Sequence, residues 1–176
     1  MATIIVEDGT GIANSNSYVT LAEADTYFSD TGNLGWAGTD DFKNQNLINA
    51  TAAMDATYGQ RYLAYLKDNT NQALLWPRED VWDRHARRIS SGVIPQSLKN
   101  AQIEMALLSQ NGVDLYPEGD KVDNVTSESV QVGEISQSFT YQQAPKNQAQ
   151  YDGFRKIEQI LWPILSPETR AMRFAI

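Results

Sequence analysis

Four segments of the chain carry apolar residues at intervals of three and four, separated by polar and glycine-rich stretches. Thr20 and Glu23 have the Thr-x-x-Glu spacing of a capping box, in which each side chain answers the other residue's free backbone amide. Leu21, Ala24, Tyr27 and Phe28 then share one face, and Gly32 ends the predicted helix. A second helix is predicted from Thr39, with Asp40 and Asp41 in the first turn, where the helix dipole favours anions. Its stripe is Leu47, Ala50, Met54 and Tyr58, and Gly59 stops it. A third follows Pro95 and carries Leu98, Ala101, Met105 and Leu108 before Asn111-Gly112. The last begins near Tyr151, turns Phe154, Ile157, Ile160 and Leu161 inward, and is kinked or ended by Pro163.

The intervening segments read differently. Residues 1–19 form an extended arm: Ile4-Ile5-Val6 is a short β-prone run, Glu7-Asp8-Gly9-Thr10-Gly11 is turn chemistry, and Tyr18-Val19 leads into the first helix. Residues 60–94 are mixed. Tyr62, Leu63, Tyr65 and Leu66 either continue the helix past Gly59 or pack as a short separate turn, and Pro77 forces Trp76 out of helical geometry. Residues 125–141 change period to strict alternation. Val130 and Val132 lie on one strand, Gly133-Glu134 is a Gly-X turn, and Ile135, Phe139 and Tyr141 lie on the other, so that Val132 faces Ile135 and the apolar residues share one face. A linker from Gln142 to Gln150 follows. The expected fold is mainly α: a small helical bundle in a single domain, with an inserted β-hairpin and extended N- and C-terminal arms. Its parts are an arm (1–19), a helical core (20–112), the hairpin (125–141), a last helix (151–165) and a tail (166–176).

Composition narrows the function. A compact chain of 176 residues buries roughly 70% of its unfolded surface and needs no metal or disulfide to fold. The absence of cysteine excludes disulfides, thiolate metal sites and cysteine nucleophiles, and a single histidine excludes a histidine-pair metal site. A net charge of −8 argues for solubility and against unselective attraction to nucleic acid or anionic lipid. There is no apolar run long enough for a membrane span, and the first residues lack the basic start and apolar stretch of a signal peptide. A soluble, acidic protein made inside the cell is expected.

The sequence carries little that resembles catalytic chemistry. His85 lies in Trp82-Asp83-Arg84-His85-Ala86-Arg87-Arg88 with no motif around it, and reads as a surface or interface histidine rather than a general base. Asp40-Asp41 and Glu79-Asp80 are adjacent residues whose side chains point apart, so they read as structural. Gly9-x-Gly11 lacks the context of a dinucleotide loop, and there is no Gly-Lys-Ser/Thr phosphate loop. Asp114, Glu118, Asp120 and Asp123 do not have calcium-loop spacing. No catalytic residue, metal site or cofactor is expected. The strongest binding candidate is Trp76, Arg78, Trp82, Arg84, Arg87 and Arg88, because arginine interleaved with tryptophan stacks bases and grips phosphates. Glu79, Asp80 and Asp83 dilute its charge, and the same composition marks a protein–protein hot spot, which favours interface or core packing. The hairpin is the second candidate: a lone two-stranded ribbon needs cover for Val130, Val132, Ile135, Phe139 and Tyr141, from its own helices or from a neighbouring copy.

Several of these residues also resemble a known family. Val6-Glu7-Asp8-Gly9-Thr10-Gly11-Ile12-Ala13-Asn14-Ser15-Asn16-Ser17-Tyr18-Val19, followed by Leu21-Ala22-Glu23-Ala24-Asp25-Thr26-Tyr27-Phe28, resembles the opening of a family of tailed-phage and prophage proteins. Gln72-Ala73-Leu74-Leu75-Trp76-Pro77-Arg78 and Ile94-Pro95, with Ala101, Glu104 and Ala106 beyond it, are similar to its later landmarks. The family carries two labels, head–tail connector or adaptor, and DnaT-like single-stranded DNA-binding protein. Net charge favours the first. That resemblance implies a structural virion protein of the neck: a closed homo-oligomeric ring of about twelve copies between the portal protein and a tail or tail-completion protein. Duplex DNA would pass through it without specific binding, and no membrane is involved. Arg170, Arg173, Phe174 and Ile176 of the tail would dock on the portal. The alternative is a replication accessory that binds single strands through the tryptophan–arginine cluster.

Overall fold

The computed structural model describes residues 2–67, 71–116, 127–132, 135–140 and 148–167. Four helices and three two-stranded antiparallel ladders follow one another along the chain: α1 (Leu21–Asp30), α2 (Asp40–Tyr58), β1 (Tyr65–Leu66), β2 (Arg78–Glu79), β3 (Val81–Trp82), β4 (Arg88–Ile89), α3 (Gln96–Gln110), β5 (Ser127–Val132), β6 (Ile135–Thr140) and α4 (Gln148–Leu161). The mainly α expectation therefore holds. No helix among the described residues is long and apolar enough to cross a membrane.

Local signals set the helix ends. The capping box of α1 is formed on both sides: the Glu23 amide donates to Thr20 Oγ1 at 3.1 Å, and the Thr20 amide donates to Glu23 Oε2 at 2.7 Å. Thr39 caps α2, and α2 passes at Gly59 into a 3-10 turn, Gly59–Arg61. Helix α3 ends where Gly112 takes a φ of +73°. Helix α4 starts at Gln148, three residues before the predicted start, because the favourable helix formers Gln148, Ala149 and Gln150 extend it. It ends at Leu161, and Pro163 sits in the 3-10 turn Trp162–Ile164.

Helix α3 is the centre of the fold, with α2 and α4 packed against it and α1 touching both α2 and α3. Ala101 through Ala106 are all buried, so α3 is enclosed on every side rather than on the single stripe its spacing predicts. Two of those buried residues are polar, and each is satisfied. Glu104 accepts from Tyr27 Oη at 2.7 Å and pairs with Lys156 Nζ at 2.6 Å, joining α1, α3 and α4. Gln102 donates to Ser17 Oγ and to the Leu47 carbonyl, and accepts from the Tyr18 amide.

The N-terminal arm is extended but does not stand free of its own subunit. It doubles back through a parallel bridge between Val6 and Ser17 and ends on Tyr18 and Val19, both fully buried. The Glu7 carboxylate, 1% exposed, folds the loop between them: it accepts from the amides of Gly9, Gly11 and Ile12 at 2.7–2.9 Å and from Ser15 Oγ at 3.2 Å. Asp-Gly-Thr-Gly thus encloses a buried anion with backbone donors.

In the third ladder the register pairs Val132 with Ile135, as the alternation predicts, and Val130, Val132, Ile135 and Phe139 occupy equivalent alternate positions of β5–β6. The Gly133-Glu134 turn, Tyr141 and the tail residues Arg170, Arg173, Phe174 and Ile176 lie outside the described residues.

Candidate nucleic-acid interface

The six tryptophan and arginine residues singled out from the sequence divide into two groups. Trp76 and Arg78 are inside. Trp76 is fully buried with its ring edge-on to Tyr62, and Arg78 is 9% exposed. The Arg78 guanidinium donates to the carbonyls of Leu63 at 2.9 Å, Ala64 at 2.6 Å and Leu75 at 3.3 Å, so each of its three nitrogens is tied to backbone. The Trp-Pro-Arg element is a clasp on the core and offers nothing to a phosphate.

Beneath that clasp lies Asp55. Its carboxylate accepts from Tyr18 Oη at 2.8 Å and from the Leu75 amide at 3.0 Å, while the Trp76 amide donates to Tyr18 Oη at 3.2 Å. Burial pushes the Asp55 carboxyl up to about 6 from its ordinary 3.8, against these hydrogen bonds, which pull the other way. Folding therefore takes up a proton at Asp55. The associated stability is complete below about pH 4 and is lost as pH rises through about 6. Asp55→Asn removes this titration. The difference in unfolding free energy between wild type and variant is expected to change by about 3 kcal/mol between pH 4 and pH 8. Denaturant melts across that range measure it, and a constant difference would contradict the buried carboxyl.

The remaining four residues are on the surface. In the β3–β4 ladder Val81 pairs with Ile89 on the inner side, and Trp82 pairs with Arg88 on the outer side. Trp82 is 57% exposed, and the Arg88 side chain stands in solvent within 3.8 Å of Asp80. The connecting turn is organised by buried Asp83, whose carboxylate accepts from the amides of His85 at 2.9 Å and Arg87 at 2.8 Å and from Arg87 Nε at 2.9 Å. The hydrogen bond from the Arg87 backbone leads in holding the Asp83 carboxyl below its ordinary value.

The turn leans on the end of α4. The Arg84 amide donates to the Pro163 carbonyl at 3.0 Å and Arg84 Nε to the Leu165 carbonyl at 2.8 Å. This contact places the Arg84 guanidinium 4.8 Å from the centroid of the Trp162 ring, with the His85 ring edge-on to it at 5.6 Å. Trp162 was not singled out in the sequence. The available signal was an indole one residue past the inward Leu161, off the apolar stripe of α4. The surface so formed brings Trp82, Arg84, His85, Arg87, Arg88 and Trp162 onto one hairpin and its support.

Elsewhere the surface is plain. An open groove of ≈ 440 Å³ between α1 and α3 is lined by residues including Glu23, Tyr27 and Lys99, with Glu23 and Lys99 paired at 2.8 Å. Among the described residues no group of three or more acidic or histidine side chains is placed to hold a metal.

A helical bundle that displays an aromatic and cationic hairpin is the class of protein these observations define. Residues 2–176 match the protein family described as "Putative DnaT-like ssDNA binding protein", and the chain belongs to that family. No curated protein and no solved structure matches it. The family match overturns the head–tail adaptor expected from the sequence, and with it the ring of copies, the portal and tail-completion partners, and the passive passage of duplex DNA. Net charge is a poor guide here for a physical reason. A net charge of −8 belongs to the whole surface, whereas contact with a strand depends on the charge where the strand lies, and on this hairpin Arg84, Arg87 and Arg88 outnumber Asp80 and Asp83, with which Arg88 and Arg87 pair.

Proposed function

We propose that this protein binds single-stranded DNA as a replication accessory, through the outer face of the β3–β4 hairpin, and that it is not an enzyme. The observation that carries the reading is the match of residues 2–176 to a family described by single-stranded DNA binding. The hairpin supplies fitting chemistry: Trp82 offers an exposed π-face for a base, its cross-strand partner Arg88 stands in solvent for a phosphate, and Arg87, paired with Asp83 on one edge, keeps the rest of its guanidinium exposed for another. Stacking and phosphate contacts of this kind tolerate any sequence, so little base preference is expected.

Fluorescence anisotropy with a labelled oligothymidylate over a salt series tests the proposal. The association constant is expected to fall with salt at a log–log slope of about −1.4, as two phosphate contacts to a single strand would give. The pair Trp82→Ala and Arg88→Ala is expected to weaken binding by about tenfold or more. Failure to bind the oligonucleotide at low salt, or equal binding to duplex, would refute the reading.

A further inference from the structure

Resting on that reading, we infer that Trp162 is a second base-stacking site, and that Arg84 serves to position its indole rather than to contact the strand. Trp162 is 45% exposed, yet it is braced more firmly than an ordinary surface tryptophan. The Arg84 guanidinium lies over the ring, His85 meets it edge-on, and Pro163 follows it in a 3-10 turn tied to the hairpin through the Arg84 amide. An indole held this way loses little freedom when a flat partner stacks on its exposed part, and the guanidinium over the ring keeps it in place.

Arg84 has less to offer a phosphate. Its Nε is committed to the Leu165 carbonyl, its Cζ lies 4.8 Å from the Trp162 ring centroid, and the residue is half-buried. Arg88, 68% exposed and 3.8 Å from exposed Asp80, and the exposed remainder of Arg87, whose guanidinium also pairs with Asp83 at 2.9 Å, are the cations that face the backbone of the strand. The partner chemistry is therefore a nucleobase, flanked by phosphates that pass along the hairpin. A base on Trp162 and one on Trp82 would be gripped by two elements, the hairpin and the end of α4, which the Arg84 contacts hold together.

The test uses the full chain with two labelled strands of equal length, an oligothymidylate and an abasic strand with the same phosphates and no bases. Trp162→Ala is expected to weaken oligothymidylate binding by about 5- to 100-fold while leaving the abasic strand and the salt slope unchanged. Trp162→Phe should recover part of the loss. Arg84→Ala should also weaken oligothymidylate binding without reducing the salt slope, and thermal melts confirm that each variant folds. Unchanged oligothymidylate binding by Trp162→Ala would overturn the stacking site and leave the proposed function intact, and a shift in self-association without loss of DNA binding would make Trp162 a protein contact instead. Equal losses on both strands would also overturn it. A salt slope lowered by Arg84→Ala would overturn the positioning role. A wild-type protein that binds neither strand would remove the single-strand reading itself.

Discussion

Replacing Gly9 by alanine is expected to lower the unfolding free energy by about 4 kcal/mol, the sum of a left-handed backbone penalty and a steric clash. Gly9 has a φ of +101°, a region that side-chain-bearing residues rarely enter. A Cβ there would also lie 2.2 Å from the Gly92 carbonyl oxygen and 2.5 Å from its carbon. Both are backbone, so no rotamer change relieves the contact. The loop that must give way is the one folded around buried Glu7, and its displacement costs the carboxylate its amide donors. Gly112→Ala is the internal control, because Gly112 has a φ of +73° and nothing within 4 Å of a new Cβ. It should show the backbone penalty alone, about 1 kcal/mol. In thermal melts Gly9→Ala is expected to fall by roughly 10 °C for a chain of this size. Equal losses in the two variants would show that the Gly92 contact is unimportant.

Gln102→Leu, a change of similar volume, is expected to cost about 3 kcal/mol. Gln102 is fully buried. Its Oε1 accepts from the Tyr18 amide at 2.9 Å, and its Nε2 donates to Ser17 Oγ at 2.7 Å and to the Leu47 carbonyl at 3.1 Å. The loss is concentrated in the Tyr18 amide. Ser17 Oγ keeps the Val19 carbonyl as its acceptor, and the Leu47 carbonyl still accepts from Thr51 Oγ1. Gln102→Glu keeps the acceptor for Tyr18 but buries a charge facing the Leu47 carbonyl, so it should be destabilised at neutral pH and partly recover when the carboxyl is protonated in acid. Denaturant melts of the two variants at pH 4 and pH 7.5 decide this. A leucine variant as stable as wild type would mean that the N-terminal segment is held by its apolar contacts alone.

These two sites differ in how far they could be read in advance. The Asp-Gly-Thr-Gly run announces a turn, because glycine tolerates the positive φ that turns need. Nothing in the run says that Gly92 would lie against Gly9, or that the turn would close on the carboxylate of Glu7. Gln102, four residues after Leu98, lies at the edge of the predicted stripe, but nothing local says which groups its amide would meet. It is buried because α2, α4 and the N-terminal segment cover α3 on all sides.

The candidate interface shows the same division. Its composition was visible as a cluster of tryptophan and arginine, but the cluster is not one surface. Trp76 and Arg78 were drawn inward by hydrogen bonds to residues distant in sequence, such as Leu63, Ala64 and Tyr18, while Trp82 and Arg88 were left outside by the alternation of the β3–β4 ladder and Arg87 lies in the connecting turn, paired with Asp83. Trp162 joined them only because Arg84 bonds across to Pro163 and Leu165.

What the chain determined by itself are the features written in a few neighbouring residues. Thr20 and Glu23 start α1, Thr39 starts α2, Asn111-Gly112 ends α3, and alternation sets Val132 opposite Ile135. Each depends on hydrogen bonds or periodicities spanning no more than a few residues. Tertiary structure decided which polar groups are buried and which aromatic rings remain in solvent. Burial depends on what another part of the chain brings to the same place, and no local window contains that partner.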